Sequence, residues 1–403
     1  MSAPQGPLAG IRVVEIAGDW CAHAGKLLAE AGADVVLVEP PGGHASRQRP
    51  PFLGDEVGPE RSLWFWHYHA GKRGVTIDLA ATDGAARFRR LVASADIVLE
   101  GEAPGALATL GLDHDEHAHP RLVWVSVTPF GRRGPRAHDP ATDLTLMAGG
   151  GPVWSCGYDD HTLPPVRPGG NHAMQIGAPY AASAALTAIL QRDLTGRGQR
   201  IDVSLHAACN VTTEAATWHW LANGGTVQRQ TGRHADLQVT LPTQFRSADG
   251  RLVQLGYTPP TAAAFRTMLD WLEQLGLSEN LDDLIFLQIG AGKEFLDKGL
   301  VGVDPETTEI LRAFREAMQL VCAHLPAVEF FHGAQGRGFS CAPVYAPDEI
   351  LDDPQFQARG FATPVWHGEL GRAVTYAGPA VRYAGMPAAR RAPFVGQHDG
   401  ELP

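Results

Sequence analysis

The sequence predicts an α/β protein in which a parallel sheet forms the larger of two domains. Short apolar runs typical of buried strands alternate with helical patterns through the first half of the chain, as expected for parallel strands joined by helices. From about residue 225 the pattern changes to a hairpin and amphipathic helices, which indicates a second, smaller domain. A chain of 403 residues is also longer than a single core usually grows.

The first predicted strand covers residues 11–17 (IRVVEIA), and a helix over LLAEAGA and a strand over DVVLVE follow it. Residues 95–100 (ADIVLE) and 121–131 (RLVWVSVTPFG) are two more apolar runs, each preceded by a helical pattern. A helix rich in small residues is expected over about 177–193, where the TGRGQ turn ends it before a strand at RIDVSL. These strands are expected to form one parallel sheet.

The smaller domain is predicted over residues 225–335. It begins with RSADGRLVQLGY, a hairpin with Asp249 and Gly250 at its turn, and continues with helices over FRTMLDWLEQLGL and TTEILRAFREAMQLVCAHL. Residues 336–403 contain a short strand and a helix and are expected to return to the first domain, which otherwise covers residues 1–224.

Composition excludes several classes of function. The formal charge of -11 disfavours nucleic acid or an anionic membrane as the main partner, because both reward clustered Lys and Arg. No run of about 18 apolar residues occurs, so a cytoplasmic protein is expected. No CxxC pair suggests zinc, no metal site is predicted, and the five cysteines are expected to be free thiols. No G-x-G-x-x-G follows the first strand, which argues against a nicotinamide dinucleotide site.

Seven segments carry a resemblance to a known family. In chain order they are LAGIRVVEIAG, GKLLAEAGADVVLVEPPGG, GKRGVTIDL, ADIVLEGEAPGALATLGLD, PRLVWVSVTPFGRRGP, LTGRGQRIDVSLHAA and APVYAPDEILDDPQFQARGF. In this order they resemble the family III CoA-transferases of the CaiB/BaiF type, a group that includes formyl-CoA and benzylsuccinate CoA-transferases and α-methylacyl-CoA racemase. The resemblance implies a Rossmann-like large domain, a smaller α+β domain and two chains interlocked as a dimer.

The chemistry of the family that this chain resembles requires a nucleophilic carboxylate. An aspartate attacks the acyl-CoA thioester, and the returning CoA thiolate then gives an aspartyl-CoA thioester that the acceptor acid consumes. The resemblance puts that aspartate just before the helix that ends at TGRGQ, and counting back from Gly196 gives Met174. No Asp or Glu occurs between Asp160 and Asp193, so the nucleophile is expected to be absent.

Other acidic residues are weaker catalytic candidates. A racemase would need a His before the Asp in PATDLTLMAGGG, but Thr142 stands there. Asp143 is a candidate to orient a neighbour or to serve as a helix N-cap, and Asp159 and Asp160 lie in a predicted loop. The aromatic cluster at residues 64–69 is a candidate wall for a bulky or aromatic acid, although packing between domains explains it equally well.

For coenzyme A, the resemblance points to loops that follow the strands. The candidate binding residues are Arg47, His69, Lys72, Arg73, Gly101, Glu102 and Pro104. Lys72 and Arg73 could pair with CoA phosphates, whereas Glu102 would repel them. Coenzyme A and acyl-CoA are expected as substrates, and no permanently bound cofactor is expected.

Three interpretations of function remain open at the level of sequence. In the first interpretation, the chain is the non-nucleophilic subunit of a heteromeric, benzylsuccinate-type CoA-transferase. It would help to move CoA from a donor such as succinyl-CoA to a carboxylic acid, together with an Asp-bearing partner. Alternatively it is a CoA-thioester isomerase, racemase or lyase that uses other residues, or a catalytically silent interaction or regulatory subunit. The first interpretation is preferred because it explains why Met174 stands where the family has its nucleophilic aspartate. Whether the chain is active without a partner stays open.

Overall fold

The computed structural model describes residues 6–402 except 168, 214 and 257–259. The chain divides into two compact units. The first, here called the α/β unit, contains the chain up to residue 152, residues 168–213 and the chain from residue 351 onward. The second unit contains residues 153–167 and 214–350.

The α/β unit is built on a six-stranded parallel sheet, which confirms the predicted fold class. Its strands are β1 (Arg12–Ile16), β2 (Asp34–Glu39), β3 (Arg73–Thr76), β4 (Ile97–Glu100), β5 (Val123–Thr128) and β6 (Arg200–Ser204). They lie in the order β3-β2-β1-β4-β5-β6. β5 is buried along its whole length, as expected where helices cover both faces of a parallel sheet. The strand order reverses between β1 and β4, the place where such sheets usually open a crevice for a ligand.

Seven helices accompany this sheet. They are α1 (Ala22–Glu30), α2 (Leu63–His69), α3 (Thr82–Ala93), α4 (Ala106–Thr109), α5 (Asp143–Gly150), α6 (His172–Thr195) and α7 (Leu205–Val211). α6 ends at Gly196, whose φ of 77° is the left-handed conformation that favours glycine. Its small residues allow close packing: a Cβ at Gly177 would lie 2.1 Å from Leu205 Cδ2.

Among the described helices, α6 is the one that is long and apolar enough to cross a membrane. Half of its apolar stretch is buried inside the protein. It also packs against α1, α5 and α7 of the same unit. Core helices pass the same test of length and composition, so we describe α6 as a core helix of the α/β unit.

The second unit combines short strands with a helical core. Its elements are α8 (Ala215–Asn223), β7 (Gln228–Gln230), β8 (Arg233–Asp236), β9 (Gln244–Arg246), β10 (Leu252–Leu255), α9 (Ala262–Gln274), α10 (Leu284–Ala291), α11 (Pro305–His324), α12 (Ala327–Gly336) and β11 (Cys341–Pro343). The predicted hairpin is confirmed, since β9 and β10 pair antiparallel around Asp249 and Gly250. Stacked aromatic rings, including Trp271 and Phe330, fill the core.

The C-terminal segment from residue 351 belongs to the α/β unit. It contains α13 (Pro354–Ala358) and the antiparallel pair β12 (Ala362–His367) and β13 (Arg372–Ala377). Asp399 accepts hydrogen bonds from the backbone amide and the hydroxyl of Thr76, each at 2.7 Å, and so fixes the end of the chain to β3.

Candidate functional site

A cavity of about 210 Å³ lies in the α/β unit beside the first turn of α6. The loop after β1, the segment before α2, the start of α5 and the start of α6 all contribute to its wall. The lining residues are Asp19, Trp20, Arg49, residues 141–143, Asn171 and Met174. These loops meet because the carboxyl ends of neighbouring parallel strands lie at one edge of the sheet.

Met174, the position that the resemblance assigns to the family nucleophile, lines this cavity. It is the third residue of α6 and is 3% exposed. Its side chain packs in a small apolar cluster with Ala22 and Tyr68, against which Trp64 also packs. A thioether in this position cannot take the part of a nucleophilic carboxylate and cannot carry a proton.

Asp143 lies next to Met174 through a contact that the sequence did not reveal. Its Oδ1 accepts a hydrogen bond of 2.7 Å from the backbone amide of Ala173, at the start of α6. The expectation that Asp143 is a helix N-cap is wrong for its own helix, because Thr142 is the N-cap of α5 and forms a capping box with Thr145. Asp143 instead satisfies one of the free amides at the beginning of a different helix.

Asp19 and Arg49 are the site residues that sequence analysis missed. The Arg49 guanidinium donates a hydrogen bond to Asp19 Oδ2 and forms an ion pair with it. It also lies over the Trp64 ring, 4.8 Å from its centroid. Asp19 lies three residues after the end of β1, a position that could have marked it as a site residue. No pattern in the sequence links it to an arginine 30 residues away.

The aromatic cluster at residues 64–69 divides between two environments. Trp64 and Tyr68 pack beside Met174, and the Tyr68 hydroxyl accepts a hydrogen bond of 2.6 Å from Gln175. Phe65 and Trp66 belong to a separate apolar cluster. Two of the aromatic rings therefore lie near the cavity, and the others support the fold.

Lys72 and His69 lie in a fully buried polar group rather than on a surface. Lys72 Nζ contacts Glu15 Oε1 at 2.7 Å, the carbonyl oxygen of Ala22 at 2.8 Å and His69 Nδ1 at 3.1 Å. Burial, partly offset by Lys72, raises the pKa of Glu15 to about 7, and burial lowers the pKa of Lys72 and of His69. With its ammonium held in this way, Lys72 has no exposed charge to offer to a CoA phosphate.

Arg47 is also buried and paired. It is 1% exposed, donates two hydrogen bonds to Glu39 at 2.7 and 2.8 Å, and donates a third to Glu60 at 2.8 Å. A further bond of 3.0 Å reaches the carbonyl oxygen of Pro393. These contacts connect β2 with the C-terminal segment, so the structure supports a scaffolding role for Arg47.

The remaining candidates for CoA binding lie nearer the surface. Arg73 pairs with Asp34 at 3.4 Å and with Glu401 at 3.2 Å. Gly101, Glu102 and Pro104 follow β4 at the carboxyl edge of the sheet and are half-buried. Burial and the nearby Glu100 raise the pKa of Glu102. Glu100 is buried and paired with Arg132 at 3.2 Å, so Glu102 is the acid here that would oppose a phosphate group.

Asp159 and Asp160 belong to the second unit, and both carboxylates are engaged. Asp159 forms an ion pair of 2.9 Å with Arg233. Asp160 accepts two hydrogen bonds from Thr162 within a turn.

All five cysteines are free thiols, as expected. Over the described part of the chain, no group of three or more His, Cys, Asp or Glu could hold a metal ion.

Comparisons with known proteins point to one family. The model of CoA-transferase family III matches residues 8–399. The chain is 30% identical to succinyl-CoA:(R)-benzylsuccinate CoA-transferase subunit BbsE of Thauera aromatica, over 97% of this chain and 92% of that protein. It is 29% identical to succinate–glutarate CoA-transferase of Agrobacterium fabrum, over 88% of this chain and 84% of that protein. The fold matches a CAIB/BAIF family protein from Brucella suis, with a TM-score of 0.76 and 24% identity over 98% of both chains.

Proposed function

Because this chain belongs to CoA-transferase family III, we propose that it is the non-nucleophilic subunit of a heteromeric CoA-transferase that moves CoA between an acyl-CoA and a carboxylic acid. The donor would be an acyl-CoA such as succinyl-CoA, and the acceptor would be a bulky or aromatic acid of the benzylsuccinate type. The partner would be a related chain that carries the nucleophilic aspartate. The assembly would be an interlocked dimer in the cytoplasm.

Met174 is the observation that carries the proposal. A family III reaction needs a carboxylate that can hold an acyl group or CoA and release it again, and a buried thioether can do neither. The family fold is nevertheless retained over residues 8–399. Retention of the fold without the nucleophile supports a role in which a second chain supplies the chemistry. One relative over nearly the whole chain is itself named as a subunit.

The proposal is tested by recovering the native assembly. The tagged full-length chain would be purified from its own cells and assayed for CoA transfer from succinyl-CoA to benzylsuccinate and to aliphatic dicarboxylic acids. We expect an active complex containing a related chain with Asp at the position matching Met174. A homodimer that transfers CoA by itself would contradict the proposal.

Asp19 favours one alternative function, an isomerase, racemase or lyase that acts on a CoA thioester. Its carboxylate lies in the same cavity as Met174 and is the wall's other acidic group besides Asp143. A carboxylate in such a cavity is a candidate general base that would remove a proton from the carbon next to the thioester carbonyl. Exchange of that proton for solvent deuterium, catalysed by the chain alone and lost in Asp19→Asn, would favour this alternative over the subunit role.

A further inference from the structure

We propose that the cavity beside the first turn of α6 is a non-covalent binding site for the carboxylate of a small organic acid, with Arg49 as the residue that recognises it. The inference rests on the proposed function, in which the nucleophilic aspartate belongs to the partner, so an acid in this cavity is held without reacting with Met174. It adds to that function the side chain that recognises the acid. Arg49 is the cation among the described residues that line the cavity.

Arg49 is fixed in place before any ligand arrives. Its guanidinium is held by Asp19 and lies over the Trp64 ring. Its backbone carbonyl accepts a hydrogen bond of 2.6 Å from the Ser62 hydroxyl. A long, partly exposed arginine normally loses much side-chain freedom on binding, and these contacts have already restricted it.

The Arg49 guanidinium has donors left for a ligand, and the wall also holds one unpartnered acceptor, Asp19 Oδ1. Arg49 uses only Nη2 in its bond to Asp19, and its Nε and Nη1 donate to none of the described residues. Of the acceptors, Asp19 Oδ2 is engaged by Arg49, and Oδ1 is buried away from solvent without a partner. Asp143 Oδ1 is taken by the amide of Ala173. A ligand that supplies acceptors, such as a carboxylate, therefore matches this wall.

Charge and size favour the same class of ligand. Asp19 and Arg49 neutralise each other, and Asp143 faces the positive end of α6. A cationic ligand would have to compete with Arg49 for Asp19, whereas a carboxylate can share the guanidinium with Asp19. A cavity of about 210 Å³ holds a small acid but not a whole coenzyme A molecule. Met174 and Trp20 offer an apolar surface for the carbon skeleton of the acid.

Calorimetric titration of the purified full-length chain tests the proposal. The probes are succinate and 3-phenylpropanoate, their neutral amides succinamide and 3-phenylpropanamide, and the cation putrescine. We expect the acids to bind at least about tenfold more tightly than the matched amides, since a charge-assisted hydrogen bond is lost in the amides. We also expect putrescine to bind more weakly than succinate.

Variants identify the residue responsible. Arg49→Met is expected to remove the preference for acid over amide. Arg49→Lys retains a charge beside Asp19 but loses the planar fork, and is expected to bind the acids about tenfold more weakly. The matched control is Arg61→Met: Arg61 lies in the same segment, is similarly exposed (34% against 40% for the side chains) and pairs with Glu56. It is expected to bind like the unmodified chain.

Three results would overturn the inference: no binding of either acid, equal binding of acids and amides, or undiminished acid binding in folded Arg49→Lys. Tighter binding of putrescine than of succinate would do so as well. This failure can be distinguished from failure of the proposed function. If an Asp-bearing partner is recovered but the chain binds no acid, only the proposed acid site is contradicted. If the chain binds acids but no such partner is found, only the subunit role is contradicted.

Discussion

Met174 occupies the first turn of α6, where an added carboxylate would not find the surroundings that a nucleophile needs. The side chain is buried in an apolar cluster, and Asp143 already accepts the hydrogen bond of the Ala173 amide. We expect Met174→Asp to show no CoA transfer and to lower the free energy of unfolding by roughly 2–4 kcal/mol, because apolar contacts are lost and a charge is buried.

The measurement for Met174→Asp combines urea unfolding with transfer of labelled CoA from succinyl-CoA. Met174→Leu is the control, since it retains side-chain volume and should cost less than about 1.5 kcal/mol. Turnover by Met174→Asp without any partner protein would show that the loss of the aspartate is the only obstacle to catalysis in this chain.

Lys72 and Arg73 are adjacent in sequence, but Lys72 is buried whereas Arg73 is partly exposed. We therefore expect the two residues to contribute differently to stability. Lys72→Met would leave the Glu15 carboxyl buried without its partner, and we expect a loss of about 3–5 kcal/mol in the free energy of unfolding. Arg73→Met removes half-exposed ion pairs, with an expected loss of at most about 1 kcal/mol. Urea unfolding and CoA titration of both variants make the comparison. Unchanged stability of Lys72→Met with reduced CoA affinity would support the phosphate contact instead.

At the scale of elements, α2 contributes a buried histidine, His67, to the pH dependence of stability. Burial, assisted by Lys26, lowers the pKa of His67 from 6.5 to about 4. Between those values the unfolded chain binds a proton that the folded chain does not, so this histidine's contribution makes stability fall as the pH falls from 6.5 to 4. The slope is up to about 1.4 kcal/mol per pH unit. Glu15 acts in the opposite direction between pH 4.5 and 7, because its pKa is raised.

His67→Gln is therefore expected to flatten the acid side of the stability profile relative to the unmodified chain. The free energy of unfolding would be measured from pH 4 to 7 by urea titration. His117→Gln, which changes an exposed loop histidine, is the matched control and should leave the profile unchanged. Identical profiles for His67→Gln and the unmodified chain would mean that His67 takes up its proton at the same pH in the folded and the unfolded chain.

Sequence patterns located the elements well where local physics defines them. Five of the six strands of the sheet were predicted, most of them from apolar runs, whereas β3 (Arg73–Thr76) was not. The end of α6 was predicted from the glycine turn at Gly196. The start of α6 gave no such signal: its N-cap residue, Asn171, makes no capping hydrogen bond with its side chain. The acceptor for the Ala173 amide comes instead from Asp143, 30 residues before Ala173, and only the folded chain brings the two together.

In the site, too, local sequence signals could be read in advance, whereas contacts between distant residues could not. The resemblance assigned Met174 to the position of the family nucleophile, and in the structure this residue lines the cavity. Asp19 and Arg49 could not be paired in advance, because their contact depends on the path of the chain before α2. The resemblance put Lys72 and Arg47 among the candidate residues for CoA binding, but both pair with buried glutamates. Charge in a sequence does not reveal which charges the fold has already neutralised.

For the whole molecule, the sequence identifies the family but not the substrate, because different residues determine the two. Lys72, Glu39 and Arg47 lie in or beside segments that carry the resemblance, and the structure uses them in buried ion pairs that connect strands and the C-terminal segment. Such segments specify the fold. The acid would be selected by loop residues such as Arg49, which the resemblance does not include.

At the scale of the whole molecule we expect no covalent intermediate on this chain, and trapping tests that expectation. Exposure to succinyl-CoA followed by borohydride, which reduces an aspartyl thioester to an alcohol, would leave a permanent change in mass on any acidic side chain that had reacted. We expect every acidic peptide of the purified chain to keep its mass, including those with Asp19 and Asp143. In the assembly recovered from cells, the change should appear on the related chain instead. Modification at Asp19 would mean that the cavity beside α6 has acquired a nucleophile from the loop after β1.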